Sequence, residues 1–134
     1  MIAAGEDLRF IARRLIVCAS EDVGLADTNA LNVAVNAYKA VELLGLPEGR
    51  IPLTEAVIYV AKAPKSNETI CAIDEALSDI ANGKDYPPPM HLRDAHYKDA
   101  KNYGFGEGYI YSHNNPNAYQ QFLPDELAGK KYTR

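Results

Sequence analysis

A chain of 134 residues, 47% hydrophobic and 24% charged, is long enough for one packed domain and too apolar to stay disordered. Its formal net charge of -4 counts against an autonomous nucleic-acid binder, and no apolar stretch reaches the roughly 20 residues that span a bilayer. Cys18 and Cys71 both fall inside helical patterns, where a thiol behaves as a small buried hydrophobe, so no disulfide framework is expected.

Met1 to Ala4 followed by Gly5 reads as the last turn of a helix with its C-terminal glycine, which suggests a piece of a longer protein. Glu6 and Asp7 then open a first helix, predicted over Leu8 to about Val23. Leu8, Ile11, Ala12, Leu15, Ala19 and Val23 keep helical spacing, while Phe10, Ile16, Val17 and Cys18 cover much of the remaining surface. Arg9, Arg13 and Ser20 leave a narrow polar stripe, with Arg14 beside it.

Asp27 caps a second helix, Thr28 to Leu44, which Gly45 and Pro47 end. Its inner face is read as Leu31, Ala34, Val35, Tyr38 and Val41, opposite Asn29, Asn32, Asn36 and Lys39. A third helix starts with Pro52 at its first position and runs to Ala63, before Pro64. Leu53, Ala56, Val57, Ile58, Val60 and Ala61 make it apolar nearly all round. The fourth runs from about Asn67 to Asn82 and stops at Gly83, with Ile70, Ile73, Leu77 and Ile80 on one inward stripe.

From Lys84 the composition changes. Tyr86-Pro87-Pro88-Pro89 favours an extended chain, and the last fifty residues hold most of the proline and tyrosine. One short fifth helix is predicted at about Arg93 to Asn102, and the rest as ordered loop with at most a brief strand. The fold class is therefore all-α, with four main helices, a short fifth and a long C-terminal segment laid across them.

Helices one and three carry too many apolar sides for a four-helix monomer. Burying one large aliphatic side chain gains about 1.5 to 3 kcal/mol, so four or five left in water forfeit an amount comparable with a domain's whole stability. Another subunit, together with the C-terminal loops, is expected to cover them. Phe10, Arg14, Val17, Cys18, Ile58 and Val60 are the residues expected to be buried while reaching toward that neighbour.

The chemical motifs are weak. Gly104-Phe105-Gly106-Glu107-Gly108 lacks the preceding strand and following helix of a dinucleotide fingerprint, and no P-loop pattern occurs, so no nucleotide site is expected here. His91 and His96 are five apart, which does not set them on one helical face, and neither they nor His113 keeps zinc-ligand spacing with a cysteine. A small-enzyme reading would need His91 or His96 beside Glu21 or Asp22, and a nucleophilic Cys18 would lie in the most apolar segment, where burial blunts it. Lys62, Lys65, Arg93, Lys98 and Lys101 lie among tyrosines and form the alternative, a module that pairs the phosphates of single-stranded or forked DNA and stacks its bases.

Four blocks carry a more specific signal. The opening MIAAGED with FIARRLIVCASEDVGLAD from Phe10 to Asp27, RIPLTEAVIYVAKAPKSN from Arg50, HLRDAHY from His91 and QQFLPDELAGKKY from Gln120 stand in order along nearly the whole chain. In these the sequence resembles the C-terminal domain of replication-associated recombination protein A, the MgsA-type AAA ATPases related to the eukaryotic Werner-helicase-interacting protein. The resemblance implies a helical domain akin to the clamp-loader collar that holds the ATPase as a homotetramer and is not itself catalytic. It implies that ATP and Mg belong to an AAA domain N-terminal to this region, that the parent acts with DNA and replication-fork proteins at stalled forks, and that it resides in the cytoplasm with the nucleoid rather than at a membrane. The DYPPPM loop and the GFGEGYIYSHNNPNAY stretch depart from the family by carrying few basic residues, which weakens the case for DNA contact by this domain.

Overall fold

The computed structural model describes residues 1–133, the side chain of Lys101 excepted. Among them every regular element is helical, and four main helices follow one another as the sequence predicts. They are α1 (Leu8–Cys18), α2 (Asn29–Leu44), α3 (Arg50–Lys62) and α4 (Glu68–Ala81). Contacts divide the chain into two compact units, one holding Met1–Ala76 with the chain from Tyr132 on, the other Leu77–Lys131.

In the first unit, Asp7 caps α1 by accepting from the Arg9 N–H at 2.9 Å. The predicted helix to Val23 is helical throughout, but its last turn, Ala19–Val23, is a π-helix. The buried residues explain the change. Leu15, Ala19 and Val23 follow each other at two four-residue steps, which drift off an α-helical stripe, and the wider π turn returns both Ala19 and Val23 to the core. Gly24 follows with φ of 50°, and a Cβ there would sit 2.8 Å from the Ser66 carbonyl oxygen, so only glycine fits.

Asp27 opens α2 by accepting from the Asn29 N–H at 3.0 Å with one carboxylate oxygen. The other accepts from the Tyr59 hydroxyl at 2.9 Å, which fastens α3 to the start of α2. Gly45, at φ of 63°, ends α2. Helix α3 begins at Arg50, two residues before the predicted start, because Pro52 is tolerated anywhere in a first turn whose N–H groups have no helical partner. Lys65 closes its far end by donating to the carbonyls of Val60 and Ala63.

The core of this unit is built from α1, the π turn, α2 and α3, and small side chains dominate it. Ala12, Ala19, Ala30, Ala34, Ala37 and Ala56 are buried, and Val23 is the largest side chain that is fully so. Alanine lets helices approach closely, so the unit closes with few large aliphatics inside. This corrects two predicted faces. Leu31 stands 40% exposed while Ala30 and Ala37 face inward on α2, and the α4 residues Ile73, Leu77 and Ile80 are all exposed rather than buried. No α4 residue belongs to the core cluster.

In the second unit, Asp79 is the one buried residue of α4. Lys84 donates to it at 3.0 Å, and Lys130 ion-pairs with its other oxygen, so the carboxylate ties the chain's late segment to the helix. The predicted fifth helix does not form. Residues 93–99 form bends and turns between two short 3-10 segments, Met90–Leu92 and Ala100–Tyr103. Asp94 explains the loss: its side chain accepts from the His96 N–H at 3.0 Å and from His96 Nδ1 at 2.6 Å, a local turn that competes with a helix. The same backbone hydrogen bond, with the ring contact, holds the Asp94 carboxyl below its usual pKa.

Candidate subunit interface

The apolar excess inferred for α1 and α3 lies on the outside of the first unit. On α1, Phe10 is 43% exposed and Val17 is 40% exposed, with the exposed Arg14 between them at spacings of four and three, so the three share one face. Cys18 is half-buried beside them and packs against the core. On α3, Ile58 is 50% exposed and Ile51 shares its face one heptad earlier. Ile58 also lines a shallow pocket of about 460 Å³ with Asp27, Glu55, Tyr59 and Lys62. Val60 differs from the rest of the expected set. It is only 6% exposed and part of the core, so it stabilises the subunit itself and has no reach toward a neighbour.

Leu43 and Leu44, the last residues of α2, and Leu46 just beyond it are absent from the faces read from the sequence, yet all are exposed. Their signal was present: three leucines around a helix-ending glycine have no periodic face to join. These side chains leave apolar surface exposed on α1, on α3 and at the end of α2.

The basic residues divide between the two units. Lys62 is exposed at the end of α3, while Lys65 uses its ammonium to cap that helix. Arg93 donates from Nε to the Pro88 carbonyl at 2.9 Å and lies over the Phe105 ring at 5.4 Å from its centroid. Tyr97 and Tyr103 pack on the same ring, so this cluster holds its own loop together. Lys98 is exposed, and the Lys101 side chain lies outside the described residues.

The histidines are likewise engaged locally. His91 Nε2 lies 2.9 Å from the Gln121 carbonyl oxygen and donates to it, His96 contacts Asp94, and the His113 ring stacks near Tyr111 at 5.1 Å. His91 and His96 belong to the second unit and Glu21 and Asp22 to the first. Among the described residues, no three histidine, cysteine or carboxylate side chains converge as metal ligands would, and no helix is long and apolar enough to cross a membrane. The Gly104–Gly108 stretch is a turn-rich loop with all three glycines at positive φ, as its sequence suggests.

Comparison with known proteins agrees with the four sequence blocks. The family described as MgsA AAA+ ATPase C terminal matches residues 1–134. The replication-associated recombination protein A of Bacillus subtilis is 52% identical over 98% of this chain and 32% of its own length. The protein of that name in Escherichia coli K12 is 41% identical over 98% of this chain and 30% of its own. An uncharacterized AAA domain-containing protein of Mycobacterium tuberculosis is 49% identical over 100% of this chain and 30% of its own. The chain thus spans about a third of the length of these relatives. With the whole of its length matched and an all-helical fold, the chain belongs to the MgsA AAA+ ATPase C-terminal family.

Proposed function

We propose that this chain is a non-catalytic oligomerisation domain, with four copies assembling, of an AAA+ ATPase that serves replication-associated recombination and repair at stalled forks. The observation that carries the reading is the exposure of Phe10, Val17, Ile51 and Ile58 on a unit whose alanine core is already closed. A neighbouring copy removes them from water at about 1.5 to 3 kcal/mol for each one fully buried.

In this reading ATP and Mg are bound by the part of the relatives' length that this chain does not span. DNA and fork proteins meet that larger protein, in the cytoplasm at the nucleoid. A direct DNA contact by this chain has less support, since Lys65 and Arg93 spend donors on their own loops and helix ends.

Sedimentation velocity of the chain at micromolar concentration tests the assembly. The expected species is a multiple of the 14.7 kDa subunit, with four the predicted number. A single species at the monomer mass would overturn it.

A further inference from the structure

The exposed faces of α1 and α4 are unlike in charge, and both present apolar side chains to the outside. Helix α1 contains three arginines and no acidic residue, whereas α4 contains no basic residue and leaves the carboxylates of Asp74 and Glu75 exposed. On α1 the outward face reads Phe10, Arg14, Val17. On α4 it reads Ile73, Leu77, Ile80, each more than half exposed, with the exposed Asp74 alongside. Counting Ile70, the α4 apolar residues fall at spacings of three, four and three, the narrow seam by which one helix packs along another.

Resting on the assembly proposed above, we infer that the pairing between copies is between unlike helices: the Phe10, Arg14, Val17 face of one copy lies on the Ile73, Leu77, Ile80 seam of another, with Arg14 against Asp74. Two other pairings fit less well. A second α4 brings like charges together, because the helix has no cation to offer its twin. A second α1 on the Phe10 face opposes Arg14 with Arg14. The α1 and α4 faces instead satisfy each other in both apolar contact and charge, and charge arranged this way selects partner and register.

Charge reversal tests this with mass as the readout. Arg14→Glu and Asp74→Lys alter exposed side chains, so far-UV circular dichroism should match the wild type in both. Each alone should raise the dissociation constant of the assembly at least about tenfold. An equimolar mixture of the two should assemble again, because every interface in it is either Arg14 on Asp74 or Glu on Lys, and the doubly substituted chain should assemble by itself. Assembly unaffected by either reversal would overturn the pairing while leaving oligomerisation standing, as would loss in both with no recovery on mixing. A monomeric wild-type chain would overturn both proposals together.

Discussion

Asp79 shows how a single residue can organise a segment that has little regular structure. It is a carboxylate taken largely out of water, and two ammonium groups offset the cost by meeting it, from Lys84 five residues on and Lys130 fifty-one residues on. Removing it with Asp79→Ala leaves Lys130, itself mostly covered, facing an apolar gap. The expected loss is roughly 2 to 3 kcal/mol, between the values for exposed and fully buried pairs. Urea unfolding followed with amide exchange should place the weakening in residues 77–131, and a loss under about 0.5 kcal/mol would show that the tail is held by something else. None of this was legible in the sequence. Asp79 sits among other acids on a helix that looks solvated on that side, and a partner fifty residues away leaves no local signature. His91 is a similar case, bonded to the Gln121 carbonyl across thirty residues.

At the scale of elements, punctuation was readable and facing was not. Asp7, Asp27, Gly45, Pro64 and Gly83 mark the helix ends because caps and breakers act through neighbouring backbone, which a sequence displays directly. The fifth helix is lost to an equally local cause, since the Asp94 side chain accepts from the His96 N–H and so competes with the helical backbone pattern. Which side of each helix points inward depends instead on what it packs against. Periodicity weights leucine and isoleucine, and this core is made of alanine, so Leu31 on α2 and the seam of α4 were assigned inward although they face out. Close approach at alanine makes a second prediction. Ala34→Leu adds volume at a fully buried contact and should cost about 1 to 3 kcal/mol in thermal or urea unfolding, whereas Leu31→Ala on the same helix should cost the isolated subunit far less. Equal losses at the two positions would contradict the alanine core.

The whole molecule is where the two kinds of reading meet. Counting apolar sides on α1 and α3 leads to the expectation that something covers them; Phe10, Val17 and Ile58 stand outward, while Val60 lies in the subunit's own interior. The family followed from ordered blocks of sequence spread over nearly the entire chain, a signal that no single motif of this protein carries. The copies that would complete the surface cannot be read from periodicity, because a helix face exposed for a partner and one buried within its own chain share the same pattern. Native mass spectrometry of the wild-type chain beside Ile58→Asp therefore bears on the assembly most directly. The wild type should appear as a multiple of 14.7 kDa and the variant as the 14.7 kDa subunit with an unchanged helical spectrum. A variant that assembles as well as the wild type would remove Ile58 from the interface, and a wild-type chain found only at the subunit mass would contradict the assembly itself.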